Sequence, residues 1–248
     1  MASPTALRWS VVIPAYNEAN RLPRYLREVV RYFDGRDEPY EVLVVDDGST
    51  DDTAARVREE WGAYPAVELV SLEANRGKGA AVRAGMRHAT GALRLMADAD
   101  GATPIGEVKR LETAVLAGAD LAVASRALPD PSVVVRAHLH RRLSGRLFMA
   151  ATYLLGVRQV VDTQCGFKLF RGAVADELFA ALRTDGFGFD VELVLGAERR
   201  GYRIAEVPVN WTDQPGSKVG VLRDGPPMLA QIITARMRLG GGAGKGTR

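Results

Sequence analysis

The chain has one cysteine, Cys165, in 248 residues, so it can form no internal disulfide, which fits a reducing compartment such as the cytoplasm. An unpaired cysteine with no histidine near it in sequence reads as a small buried hydrophobe, not a nucleophile. No stretch reaches about 18 uninterrupted apolar residues, and Met1 to Ala6 shows neither a basic nor an apolar leader region, so any membrane contact is expected to be peripheral. Charge of one sign is also scarce. Lys and Arg total 33 against 30 for Asp and Glu, a net charge of +3 that is no nucleic-acid footprint. No G-x-G-x-x-G follows the first apolar run, which argues against a dinucleotide oxidoreductase. His138 and His140 stand two apart, which on a helix sends them to different faces and makes them poor partners for one metal. What the chain does have is 47% hydrophobic residues, enough for the core of one large domain or two fused lobes.

Apolar runs alternate with helical patterns along the first half. Trp9 to Pro14, Val42 to Val45, Val67 to Ser71, Leu93 to Ala97 and Asp120 to Arg126 each read as a buried strand. Between them, helices are expected through Leu22 to Phe33, from Asp51 to Trp61, up to His88, and from Pro104 to Leu116. Continuous apolar strands alternating with helices specify an α/β fold with a mostly parallel, Rossmann-like sheet covered on both faces. Ligands of such sheets bind beyond the carboxyl ends of the strands, where Asn17, Glu18, Asp46, Asp47, Lys78, Asp98, Asp100 and Arg126 collect.

Asp98-Ala99-Asp100 has the sharpest chemical meaning. Side chains two apart at a strand end share a side, and paired hard oxygen ligands suit Mg²⁺ or Mn²⁺ completed by the phosphates of a ligand. The competing structural meaning is an acidic turn before a helix, with Thr103 as N-cap and Pro104 as first helical residue. After about Asp130 the alternation stops. Arg136 to Val157 reads as a helix whose leucine repeat carries Arg136, Arg141, Arg142 and Arg146. It suits either a membrane surface or core packing with arginines turned toward an anion. The run from Val160 to Arg171 mixes polar groups and glycine into a strand pattern, Asp190 and Glu192 fall in the first turn of a helix, and Ile204 to Val209 is an edge strand because of Pro208. Met228 to Leu239 reads as helical, followed by a glycine-rich tail. Three regions are expected: 1–130 for the ligand at the strand ends, 131–225 as a further part of the same domain, and 226–248 as helix and tail.

The segments Val12-Ile13-Pro14-Ala15-Tyr16-Asn17-Glu18, Val44-Val45-Asp46-Asp47-Gly48-Ser49-Thr50-Asp51, Asn75-Arg76-Gly77-Lys78-Gly79, Ala97-Asp98-Ala99-Asp100-Gly101-Ala102-Thr103, Ser125-Arg126, Asp162-Thr163-Gln164-Cys165-Gly166-Phe167-Lys168, Phe189-Asp190-Val191-Glu192 and Gly216-Ser217-Lys218 stand in order over roughly residues 10 to 220. Together they resemble the family 2 inverting glycosyltransferases of GT-A fold, and within them the polyprenyl- and dolichyl-phosphate sugar synthases, the β-glucosyl branch above all. The resemblance implies that Pro14, Ala15, Tyr16, Asn17 and Glu18 line the nucleotide, with Asp46 and Asp47 at the base and Lys78 near base or ribose. It implies that Asp98 and Ala99 lie against the donor and that Asp98 and Asp100 serve the metal. Mannosyl relatives carry a Gln at the position of Ala102, and glucosyl relatives share Gly-Ala-Thr here.

The implied reaction is an in-line displacement at the anomeric carbon of a nucleotide sugar, UDP-glucose or GDP-mannose. The metal, Arg126 and Lys218 would stabilise charge on the departing diphosphate. A polyprenyl phosphate acceptor is already ionised and needs no base, whereas a soluble hydroxyl acceptor would need one, with Asp190 the candidate. Arg136, Arg141, Arg142, Arg146, Gln164 and Ser217 are the expected acceptor contacts. Transferase chemistry at the cytoplasmic membrane face is the leading expectation, and a non-catalytic nucleotide-sugar-binding protein is the alternative outside enzymology.

Overall fold

A computed structural model of the chain describes residues 8–137, 145, 148–150, 152–216 and 221–240. Its centre is a seven-stranded sheet in the order β3-β2-β1-β4-β7-β5-β8. The strands are β1 (Trp9–Ala15), β2 (Tyr40–Asp46), β3 (Val67–Ser71), β4 (Leu93–Ala97), β5 (Leu121–Ser125), β7 (Phe167–Arg171) and β8 (Ile204–Pro208). β6 (Val135–Arg136) and β9 (Trp211–Thr212) form a separate parallel pair. The helices are α1 (Leu22–Asp34), α2 (Thr53–Trp61), α3 (Lys78–His88), α4 (Val108–Leu116), α5 (Gly172–Ala181), α6 (Phe189–Arg199) and α7 (Val221–Gly240).

The apolar strands are continuous because each residue serves one of two layers. Trp9, Val11 and Ile13 join Val42 and Val44 in the core beneath α1 and α4, while Val12, Leu43 and Val45 join the opposite core beneath α3, α5 and α6. This period of two, buried on both sides, is the signature of a doubly covered sheet. The expected parallel sheet holds with one exception. β7 runs antiparallel between β4 and β5, pairing Phe167 with Ala97 and Lys168 with both Met96 and Val123. The 131–225 region thus supplies an interior strand to the sheet begun by residues 1–130. β8 lies at the edge, as Pro208 requires, because an edge strand can spare an N–H.

Three local expectations are corrected. Arg136 opens no helix: it lies in β6, exposed and paired in register with Thr212, and its carbonyl accepts from Asp213 N at 2.9 Å. Thr103 is not a helix cap. A 3₁₀ turn at Ile105–Glu107 precedes α4 without a side-chain cap, and Thr103 Oγ1 sits 3.9 Å from the buried Cys165 Sγ. The C-terminal helix begins at Val221, earlier than the expected Met228. Among the described residues, no helix is long and apolar enough to cross a membrane.

Candidate active site

Because β1, β2, β4 and β5 are mutually parallel, their carboxyl ends meet at one sheet edge, and antiparallel β7 starts there. The polar groups gathered in this crevice fall into two sets with different supports.

Backbone N–H groups hold the first set. Beyond β2, Asp46 Oδ1 accepts from Ser49 N at 3.1 Å, and the buried Asp47 carboxylate accepts from Arg76 N and Gly77 N, both at 2.8 Å. Gly77, at φ 104°, makes the turn that starts α3, and a Cβ there would lie 2.6 Å from Asp185 O, so the loop tolerates no side chain. Burial raises the Asp47 pKa above the ordinary carboxylate value despite those two amides. Asn17, the one described non-glycine residue with positive φ (54°), takes Thr50 N at 2.7 Å and Asp51 N at 3.2 Å on its carboxamide oxygen, joining the loops after β1 and β2. Glu18 N donates to Thr53 Oγ1 at 2.7 Å, and its carboxylate engages Arg21. Pro14 and Ala15 lie in β1, Ala15 within the buried core, and half-buried Tyr16 follows at the same edge.

Asp98 and Asp100 follow β4. Asp98 N donates to Gly166 O at 3.0 Å, which fastens the motif to the turn entering β7. Gly166 leaves room for the Asp98 side chain, since a Cβ there would fall 2.0 Å from Asp98 Oδ2 and would have to push the carboxylate aside. The Lys78 ammonium stands 2.6 Å from Asp98 Oδ1, yet that oxygen has no aligned hydrogen-bond donor, so the contact is electrostatic and poorly directed. Burial tends to lower the Lys78 pKa, but Asp98 and then Asp190 outweigh it and hold the ammonium above the ordinary lysine value. Asp100 Oδ1 accepts from Ala102 N at 3.0 Å, and Arg21 lies 3.8 Å from its Oδ2. Burial, then the neighbouring Asp98, raises the Asp100 pKa. An under-coordinated carboxylate oxygen beside a second carboxylate fits a hard divalent cation. No cluster of three or more metal-ligating side chains exists among the described residues, so diphosphate and water oxygens would complete the shell, as suits Mg²⁺ or Mn²⁺.

Opposite charges hold the second set. Arg126 Nε and Nη2 form a two-pronged pair with Asp162 at 2.7 and 2.8 Å, its backbone N adds a third bond at 2.9 Å, and Trp211 lies 5.3 Å from the guanidinium. Burial would raise the Asp162 pKa, but Arg126 overrides it and holds the carboxylate below its usual range. Lys168, 1% exposed, donates to Cys165 O at 2.7 Å and to Asp190 Oδ1 at 2.5 Å. Burial raises the Asp190 pKa in spite of Lys168 and Lys78. Glu192 accepts from Thr184 N at 2.9 Å and Arg183 N at 3.2 Å, which makes it the anchor of the loop before α6. Gln164 Nε2 reaches Phe187 O at 3.5 Å. Cys165 is buried and its thiol is pushed up to about 12, which removes it from nucleophilic chemistry at neutral pH.

The crevice thus gathers Asp46, Asp47, Lys78, Asp98, Asp100, Arg126, Gln164 and Asp190. Ala99 is buried between the two aspartates, Arg136 stands apart on β6, and Arg141, Arg142, Arg146, His138, His140, Ser217 and Lys218 lie outside the described residues. Arg21, Asp162 and Lys168 were missed as site residues. The signal for Lys168 was a lone cation inside Phe-Lys-Leu-Phe, and for Asp162 a carboxylate at the head of the same polar run; Arg21 had none.

The description "Glycosyl transferase family 2" matches residues 10–179. The chain is 34% identical to a dolichyl-phosphate beta-glucosyltransferase of Saccharomyces cerevisiae, over 92% of this chain and 74% of that protein. It is 37% identical to the Homo sapiens protein of that name, over 95% of this chain and 76% of the other. Its fold matches that of glucosyl-3-phosphoglycerate synthase from Mycobacterium tuberculosis in complex with UDP, at a TM-score of 0.69 and 22% identity over 95% of this chain and 80% of that one. The same synthase, crystallised with Mn²⁺, UDP-glucose and phosphoglyceric acid, superposes at a TM-score of 0.68 and 22% identity. A family match across the sheet and its carboxylate edge, joined to relatives above 30% identity along nearly the whole chain, makes this protein a member of glycosyltransferase family 2.

Proposed function

We propose that the protein transfers glucose, with inversion, from UDP-glucose to a polyprenyl phosphate of the dolichyl type. Support for the donor comes from the naming of the relatives as beta-glucosyltransferases and from Ala102, which stands where mannosyl relatives carry Gln. The single observation that carries the acceptor is Asp190. It is buried, and Lys168 occupies its Oδ1 at 2.5 Å, the arrangement of a positioned counter-charge and not of a base open to an incoming hydroxyl. A phosphate acceptor is ionised near neutral pH and attacks without a base.

In this reading the base and ribose lie along Tyr16, Asp46 and Asp47, whose loops are locked by Asn17 and by the amides of Arg76 and Gly77. Asp98 and Asp100 would hold Mn²⁺ or Mg²⁺, which as a Lewis acid offsets charge on the departing diphosphate. Structural neighbours of the same fold, crystallised with Mn²⁺ and either UDP or UDP-glucose, support a divalent ion. Lys78 and Arg126 bring positive charge to the same crevice, Arg126 oriented by Asp162. Arg141, Arg142, Arg146 and Ser217 are proposed for the acceptor phosphate, and Lys218 for the charge on the departing diphosphate, from their places in the sequence. Since the acceptor is a membrane lipid, the protein is expected to work at a membrane face, the cytoplasmic one on the cysteine argument.

A labelled-sugar assay tests this. UDP-glucose, GDP-mannose and UDP-N-acetylglucosamine are each offered with polyprenyl phosphate, with Mn²⁺, Mg²⁺ or chelator. The expected result is lipid-soluble label from UDP-glucose alone, lost with chelator; label from GDP-mannose at an equal rate overturns the donor assignment.

A further inference from the structure

Both carboxylates of the Asp98-Ala99-Asp100 motif face basic side chains. Lys78 stands 2.6 Å from Asp98 and Arg21 stands 3.8 Å from Asp100. The two cations are held very differently. Arg21 is tied to the Glu18 carboxylate through Nε at 2.6 Å and through Nη2, and its Nη1 donates to Pro215 O at 3.2 Å, so it stays where it is. The Lys78 ammonium lies on Asp98 off the hydrogen-bonding angle and 5.9 Å from the Phe189 ring, at the end of a flexible four-carbon stem. The stem's base, in contrast, is fixed: Lys78 is the first residue of α3, directly after the Gly77 turn that Asp47 clamps.

We infer that Lys78 is a resident counter-cation for the metal site. Its ammonium holds Asp98 while the donor is absent and releases that carboxylate when a divalent cation arrives with a nucleoside diphosphate. The inference rests on the proposed donor chemistry and deepens it. Charge bookkeeping explains the coupling. Glu18, Asp98 and Asp100 face only Lys78 and Arg21, which leaves the cluster one charge negative, so a divalent cation entering alone turns it one charge positive and stands next to an ammonium. A diphosphate arriving with the metal brings the balancing negative charge and a new partner for the displaced ammonium. Metal and donor then bind cooperatively, and by linkage each tightens the other by the same factor.

The test measures Mn²⁺ binding, not turnover. Free Mn²⁺ is followed by electron paramagnetic resonance as the protein is titrated, with and without UDP, for the wild type, Lys78→Met and Lys78→Arg. Wild type is expected to bind Mn²⁺ weakly alone and more tightly with UDP. Lys78→Met should bind Mn²⁺ alone about fivefold more tightly, the scale of a partly exposed ion pair, and should lose a similar factor of the tightening by UDP. Lys78→Arg should resemble wild type. Equal or weaker binding of Mn²⁺ alone by Lys78→Met overturns the counter-cation role while leaving the donor reading standing. A wild type that binds no Mn²⁺ even with UDP overturns both. Circular dichroism checks folding, and Lys78→Gln carries the same expectation should the methionine variant not fold.

Discussion

The two halves of the crevice hold their charges by different means. On the donor side, Asp46, Asp47 and Asp100 are each fixed by backbone N–H groups within the local turn or the next one. On the other side, Arg126 is fixed by Asp162 and Asp190 by Lys168, pairs drawn from separate elements, the second of them fully buried. Amide cradles position a carboxylate without pairing it to a cation, which leaves it available to a metal or a ribose. Side-chain ion pairs neutralise each other and orient what remains. The donor half is therefore built to receive ligands on its carboxylates, and the other half to hold a cation, Arg126, at a set angle.

Asp100→Ala breaks the donor half most directly. It should lower metal-dependent transfer by about a hundredfold or more, the scale seen when one charge-stabilising group is removed, without loss of thermal stability; a near-normal rate at saturating donor contradicts the metal assignment. Lys168→Met attacks the other half. Leaving Asp190 buried and unpaired should cost about 3 kcal/mol or more in denaturant unfolding, and Lys168→Met combined with Asp190→Leu should recover much of that loss.

Gly166→Ala sharpens the comparison, because Gly166 touches both halves. Its new Cβ must push the Asp98 carboxylate aside, so the apparent Mn²⁺ and donor affinities should weaken by about tenfold, the worth of ~1.4 kcal/mol, with little change in unfolding. The smallest effect is expected from pH. Asp162 has a lowered native pKa, so the stability it contributes is complete above roughly pH 4, its unfolded value, and is lost as pH falls through the native value. Thermal melts of Asp162→Asn should accordingly lie below wild type at pH 7 and converge with it in strong acid.

The same contrast explains what could be read without coordinates. Strand, polar turn and helix repeat along the first half, and their periodicity places Asp46, Asp47, Asp98 and Asp100 at one edge because a parallel sheet leaves no other choice. The cradles of Asp46 and Asp100 close within the same turn, so these carboxylates after a strand announce their own role, whereas Asp47 draws its amides from Arg76 and Gly77 beyond the next strand. The Arg126–Asp162 and Lys168–Asp190 pairs join residues far apart in sequence, and nothing in composition or spacing marks partners across such gaps. The antiparallel β7 was hidden for the same reason: its polar run follows the break in alternation, and only pairing with Ala97 and Val123 reveals its direction. Arg136 was misplaced because a leucine repeat gave a helical pattern to a segment whose first residues pair with β9 instead.

The most direct measurement of the central claim offers one donor, labelled UDP-glucose with Mn²⁺, to polyprenyl phosphate and to the matching polyprenol in parallel. With Asp190 committed to Lys168, label should pass to the phosphate and not to the alcohol, and Asp190→Asn should not abolish that transfer. Comparable transfer to the free hydroxyl, lost in Asp190→Asn, would contradict the account.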